Sequence, residues 1–186
     1  MAAQMKTLKK QLLNLLKKDA FRQGRFVLSS GKVSNYYLDG RVITMTPQGA
    51  YLAASIILEM LGNKKIDAVG GPTLGADPMV GAVAALSYLK KKSLTTFIVR
   101  KAAKEHGTQK QVEGPVLKKG AKVIIVDDVA TTGMSLIEAK LALNTMGVQV
   151  EEAVVIVDRD EGAKEHLARE GCRLRSIFTI KDLLEA

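Results

Sequence analysis

The run Val123-Ile124-Ile125-Val126-Asp127-Asp128-Val129-Ala130-Thr131-Thr132-Gly133-Met134-Ser135 gathers chemistry-bearing side chains at the end of an apolar stretch. A buried strand that ends in two carboxylates offers adjacent ionised acceptors, and a ribose diol presents the adjacent donors that such a pair can take. The hydroxyl- and glycine-bearing turn that follows opens a helix, whose free N–H groups and dipole favour a phosphate. Mg2+ is welcome in the same negative field. The plain alternative is that Ser135-x-x-Glu138 is an ordinary capping box and the aspartates are solvated at a strand end. Neither GxxxxGK[ST] nor GxGxxG occurs, so ATPase and dinucleotide readings lack their fingerprints.

Three other strand ends carry polar chemistry, and in open parallel sheets ligands bind outside the carboxyl ends of the strands. Gly70-Gly71-Pro72-Thr73-Leu74-Gly75 follows Ile66–Val69, Arg100-Lys101 follows Thr95–Val99, and Asp158-Arg159 follows Val154–Val157. Glycine-rich backbone, paired bases, paired acids and a further base therefore converge on one rim. The polar stretch Lys101–Gly114 is too long for a plain connection, and its histidine and bases at a strand's carboxyl end favour function over a solvated loop. Arg159 pairs either with Asp158 or Asp160, or with a planar anion through its fork. Tyr36 and Tyr37 lie on alternate strand faces, so only one of them can point at a site.

The elements that position these groups follow from apolar periodicity. Leu8, Leu12, Leu15 and Leu16 mark an amphipathic opening helix, read as docked on its own domain rather than on a membrane surface. Short β pieces, Arg25–Ser29 and Tyr36–Leu38, surround the turn at Ser30-Gly31-Lys32 and form a small cap. Thr46-Pro47 supplies an N-cap and an N1 proline for a helix through Tyr51–Leu61, with Gly62 at its C′ position. Strands Ile66–Val69, Thr95–Val99, Lys122–Val126 and Glu152–Val157 then alternate with helices near Asp77–Leu89, Ser135–Met146 and Ala163–Glu170. That alternation predicts an α/β fold, a parallel sheet with helices on both faces plus the small N-terminal cap. One domain is expected over residues 1–186, with 1–45 as helix and cap.

Composition narrows the class. The 186 residues are 47% hydrophobic and 25% charged, which fits a globular chain and excludes a collagen-like or disordered one. The single cysteine, Cys172, excludes a disulfide scaffold and a Cys-rich zinc module, and it is read as inert. The net charge of +9 attracts anions. Aromatic residues are only 4% with no Trp, so there is little material for stacking single strands, and no nucleic-acid partner is expected. No apolar run reaches the roughly 18 residues of a membrane span and no signal-peptide region opens the chain, so the expected location is the cytoplasm without a membrane partner.

Asp127-Asp128 through Ser135 resembles the phosphoribosyl pyrophosphate (PRPP) signature of the type I phosphoribosyltransferases. Phe26-Val27-Leu28-Ser29-Ser30-Gly31-Lys32-Val33-Ser34-Asn35-Tyr36-Tyr37, the Gly71-to-Pro78 segment and Val99-Arg100-Lys101-x-x-Lys104-x-His106-Gly107 make the match narrower, to the orotate phosphoribosyltransferases. The likeness covers nearly the whole chain. It implies Mg2+-dependent transfer of ribose 5-phosphate from PRPP to orotate, giving orotidine 5′-monophosphate and pyrophosphate in pyrimidine biosynthesis. It implies Arg100, Lys101, Lys104 and His106 on the pyrophosphate and Asp127 and Asp128 on the ribose hydroxyls. Thr131, Thr132, Gly133, Met134 and Ser135 fall to the 5′-phosphate, with Val129 and Ala130 completing the PRPP run, and Thr131 and Arg159 to orotate. Asp128 joins the three bases and the histidine of the loop as catalytic. The Mg2+ is expected on pyrophosphate and ribose oxygens, without direct protein ligands. Some members have lysine where Ser29 and Gly75 stand here, so neither position is assigned a charged contact. The resemblance also implies a cis peptide at Thr73–Leu74 and a homodimer with shared sites, the cationic loop crossing to the neighbour. The rivals are transfer to a purine or another pyrimidine, and a regulator that keeps the pocket as a sensor.

Overall fold

The structure, a computed structural model, describes residues 2–27, 31, 33–102 and 111–185. Helix α1 (Ala2–Leu15) runs into a π-helical turn, Leu16–Ala20, and then into an antiparallel ribbon of β1 (Phe21–Val27) and β2 (Val33–Leu38). A short helix α2 (Arg41–Thr44) leads to α3 (Pro47–Leu61). The remaining elements are β3 (Ala68–Pro72), α4 (Asp77–Leu89), β4 (Thr95–Val99), β5 (Val112–Glu113), β6 (Lys122–Ala130), α5 (Met134–Thr145), β7 (Gln149–Asp158), α6 (Ala163–Arg169), β8 (Arg173–Thr179) and α7 (Ile180–Leu184). They build a six-stranded sheet in the order β5-β4-β3-β6-β7-β8, parallel except for β5.

Period-two alternation along β6 divides the core. Ile124 and Val126 pack with Leu12, Ile56 and Met79 from α1, α3 and α4, whereas Val123 and Ile125 pack with Leu136, Leu143 and Leu167 from α5 and α6. Each face thus receives its own helical layer, as the strand runs predicted. Helix α3 begins as its sequence dictates: Thr46 caps it, its hydroxyl accepting the Gly49 N–H at 3.1 Å, Pro47 stands in the first turn, and Gly62 ends it at φ 56°.

Several boundaries differ from the sequence reading. The strand expected at Ile66–Val69 is displaced to Ala68–Pro72, because pairing with β4 runs from Ala68 opposite Thr95 to Pro72 opposite Val99. Main-chain pairing needs no side chains, and Gly70 is required there, since a Cβ would collide with the Phe97 carbonyl and ring. Strand β6 continues past Val126 through both aspartates to Ala130. The first cap strand begins earlier than expected, at Phe21, and is described to Val27, and the second begins at Val33. The polar stretch after Arg100 contains β5, which returns antiparallel to β4. Neither β8 nor α7 was expected: in Arg173-Leu174-Arg175-Ser176 the alternating charges hide an edge strand whose Leu174, Ile177 and Phe178 are buried. The Thr73–Leu74 peptide is cis.

Candidate active site

The carboxyl ends of β3, β6 and β7 meet at the acidic pair. Asp127 is buried at 6% exposure and Asp128 is half-buried, so the solvated-strand-end alternative does not hold. Continuing the β6 alternation turns Asp127 towards α5, where its Oδ2 accepts the Ser135 hydroxyl at 3.2 Å. Asp128 faces the cap, where a Cβ on Gly40 would lie 2.8 Å from the Asp128 Cβ. The two carboxylates also flank Gly75: any side chain there would strike an oxygen of each. This explains in physical terms why residue 75 is glycine beside this particular pair.

Burial pushes the Asp127 carboxyl well above the usual carboxylate range, and the neighbouring charge of Asp128 pushes it the same way. Asp128 is also raised, again chiefly by burial, against the Val129 N–H that donates to its Oδ1 at 2.9 Å. Arg41 lowers Asp128 at longer range, but that guanidinium is held by Asp39, Nη2 to Oδ2 at 2.8 Å. Among the described residues neither carboxylate of the pair has a salt bridge. Among the described residues, then, no cation is in direct contact with either carboxyl.

The turn after β6 is built by Gly133, at φ 80° and immediately before α5. Glycine bears this left-handed conformation without steric cost. The capping-box alternative is thereby overturned: Gly133 is the N-cap residue, no side chain caps the helix, and Ser135 points to Asp127 instead. Residues Thr131 and Thr132 are half-buried at the turn, and Met134 is exposed. Val129 and Ala130 remain in β6.

At the end of β7, Arg159 donates its main-chain N–H to Ala130 O at 2.9 Å, which ties the two strand ends together. Its side chain is only 9% exposed. The Arg159 Nε donates to the Tyr36 hydroxyl at 3.0 Å, and Nη2 pairs with Glu161 Oε1 at 2.9 Å. The acid that holds it is thus Glu161, not Asp158 or Asp160; Asp158 Oδ1 accepts the Asp160 N–H instead. Tyr36 is the site residue the sequence reading left undecided. Its partner Tyr37 turns outward and packs on Phe26, with ring centroids 5.7 Å apart. Strand alternation was the signal, and Phe21 against Tyr36 at 5.8 Å fixes which tyrosine faces in.

Arg100 and Lys101 follow β4 with exposed side chains. Arg100 is anchored through its main chain, its N–H donating to Gln111 O at 2.8 Å, with a loose contact to Glu113 at 4.0 Å. Lys104, His106 and Ser29 lie outside the described residues. A cavity of about 460 Å3 also exists, lined by Lys64, Lys65, Lys122 and Glu152 among others, but it opens at the amino edge, the wrong end of the sheet for the acidic pair.

A parallel sheet with an acidic pair, a glycine turn at the head of a helix and an arginine on the next strand defines a phosphoribosyltransferase. The phosphoribosyl transferase domain family matches residues 44–175. The orotate phosphoribosyltransferase of Nostoc sp. is 43% identical over 97% of this chain and 87% of its own length. That of Thermosynechococcus vestitus is 46% identical over 95% and 93%. Among solved structures, the Mycobacterium tuberculosis orotate phosphoribosyltransferase in complex with PRPP superposes with a TM-score of 0.79 at 31% identity, over 95% of this chain and 98% of that one. The chain belongs to the orotate phosphoribosyltransferase family.

Proposed function

We propose that the carboxyl edge binds PRPP with its ribose hydroxyls on Asp127 and Asp128 and its 5′-phosphate on the Thr131–Ser135 turn. Arg100 and Lys101, joined by Lys104 and His106, face the pyrophosphate, and orotate lies between Thr131 and Arg159. The enzyme is a pentosyltransferase: the C1–O bond to pyrophosphate breaks, a C1–N bond to the orotate ring nitrogen forms as that nitrogen gives up its proton to solvent, and orotidine 5′-monophosphate and pyrophosphate leave. The observation that carries this reading is the adjacent aspartate pair, Asp127 buried and Asp128 half-buried, with Ser135 of the glycine turn on one carboxylate and the arginine of the next strand joined to Ala130.

The residues have separable tasks. Burying acceptors beside each other makes them strong partners for a diol, whose hydroxyl protons relieve their repulsion. Cations near the leaving group stabilise the negative charge that develops as the C1–O bond breaks, most effectively where water is excluded. Arg159 offers a planar donor fork to the carboxylate and carbonyl oxygens of orotate, and Tyr36 and Glu161 fix its plane.

The unneutralised acidic pair suits a divalent cation. Two carboxylates beside the proposed ribose and diphosphate fit Mg2+ carried mainly by pyrophosphate and ribose oxygens beside Asp127 and Asp128. Bound there, the ion supplies charge neutralisation on the diphosphate.

The proposal extends to a single catalytic domain over 1–186, with 1–45 as its cap, working in the cytoplasm as a homodimer. No helix among the described residues is long and apolar enough to cross a membrane. If the cationic loop serves the partner's site, inactive Lys104→Ala and Asp128→Asn subunits complement each other. Random exchange at equal amounts makes about half the dimers mixed, each with one intact site, so activity recovers to roughly a quarter of wild type. A loop acting within its own subunit gives no recovery.

The function itself is tested by the loss of orotate absorbance on mixing protein, Mg2+, orotate and PRPP, with hypoxanthine, adenine and uracil alongside. Consumption of orotate alone is expected. Preference for a purine or uracil overturns the assignment, and binding of PRPP without turnover favours the regulator.

A further inference from the structure

His166 stands outside the acidic pair, the cationic loop and Arg159, yet it touches the phosphate turn. It lies on α6, half-buried, and its Nδ1 is 2.9 Å from the main-chain oxygen of Thr132. A carbonyl oxygen can only accept, so Nδ1 carries the hydrogen and donates it. Among the described residues this is the one side-chain hydrogen bond to the backbone of 130–133. The approach is close along its length. A Cβ on Gly133 would lie 3.3 Å from Ala163, and one on Gly162 would lie 3.4 Å from the imidazole. The missing Cβ of Gly133 thus lets the start of α6 pack closely on the turn.

We propose that His166 is a positioning residue for the 5′-phosphate: by holding the Thr132 carbonyl it aims the Gly133 N–H into the phosphate cradle. In a trans peptide the C=O and the following N–H point in opposite directions. The only cis bond among the described residues is Thr73–Leu74, so the Thr132–Gly133 unit obeys this rule. With its carbonyl drawn towards α6, its N–H is turned away from α6. Gly133 at φ 80° has the freedom to let this peptide flip once the imidazole is gone. A flip would replace an N–H donor with a carbonyl oxygen, which repels a phosphate. His166 itself touches no substrate and acts through the backbone.

This rests on the reading of Thr131–Ser135 as the 5′-phosphate turn. The readout is the ratio of dissociation constants for orotidine and orotidine 5′-monophosphate, measured by calorimetry, which isolates the 5′-phosphate. His166→Ala is expected to lower this ratio about tenfold, the scale of one hydrogen bond to an anion, with orotidine affinity unchanged. In kinetics the KM for PRPP rises by a similar factor, while the KM for orotate stays within about twofold. His166→Asn places its amide N–H the same number of bonds from Cα as Nδ1 and should restore the ratio; His166→Gln, one carbon longer, should not. A merely structural role predicts that Ala, Asn and Gln all lower both affinities together. An unchanged ratio in His166→Ala, or no rescue by Asn, overturns the proposal. Thr132→Ala separates the failures: a lowered ratio there keeps the phosphate turn and removes His166 alone, and an unchanged ratio removes both.

Discussion

Buried acid is treated in opposite ways at the two edges of the sheet. At the carboxyl edge Asp127 and Asp128 lie side by side without a salt bridge among the described residues, and both are raised. At the amino edge Glu152, 9% exposed on β7, is bracketed by Lys64 at 2.5 Å and Arg175 at 2.9 Å. Burial alone would raise Glu152, but these two cations outweigh it and hold the carboxyl below its ordinary value. The amino-edge acid is neutralised within the fold and joins the segment after α3 to β7 and β8. The carboxyl-edge acids are left for a ligand to neutralise, which costs stability and supplies binding.

The contrast is broken most severely by Asp127→Asn. Removing one acceptor of the pair should lower turnover about 10²–10³-fold. The same change removes repulsion, so the fold should gain about 1 kcal/mol and melt roughly 2–4 °C higher. Steady-state kinetics and calorimetry on the one variant read both effects.

Glu152→Gln should do the reverse. Breaking a fully buried ion pair costs about 3–5 kcal/mol. The Lys64 side chain is 46% exposed and can return to water, so a loss of about 2 kcal/mol in denaturant unfolding is expected, with kcat within about twofold. A smaller effect attends Arg159→Lys, which keeps the charge but loses the planar fork held by Tyr36 and Glu161. The KM for orotate should rise about tenfold with little change for PRPP. Tyr36→Phe removes only the hydroxyl that accepts from Arg159, so a rise of about threefold in the same KM is expected. If it equals the Arg159→Lys effect, Tyr36 does more than hold the guanidinium.

Residues with local physical signatures were legible in the sequence. Thr46-Pro47 and Gly62 announced α3, and the helix at Asp77–Leu89 and strand at Thr95–Val99 stand where their apolar patterns placed them. The acidic pair and the glycine turn were legible because their types and order carry the chemistry. What tertiary pairing decides was not. Gly70 and Gly71 look like a loop until β4 and β6 flank them. Glu152 looked like the polar start of a strand, because Lys64 and Arg175 lie 88 and 23 residues away. Nor does the sequence order reveal that His166 meets Thr132, 34 residues earlier.

The two edges also have opposite pH signatures. A carboxyl raised in the fold holds its proton more tightly folded than unfolded, so its stabilising contribution is present at low pH and lost as pH rises through its folded value. Asp127 and Asp128 belong to this class. The lowered Glu152 contributes stability above its unfolded value of 4.5, and that contribution is lost as pH falls through its folded value. The most direct measurement is therefore the melting temperature of wild type, Asp127→Asn and Glu152→Gln from mildly acidic to neutral pH, with kcat taken on the same samples. The account predicts that near neutral pH Asp127→Asn melts higher and turns over far more slowly than wild type, while Glu152→Gln melts lower with its turnover kept. A lower melting point for Asp127→Asn, or a Glu152→Gln enzyme that stays folded but inactive, would contradict it.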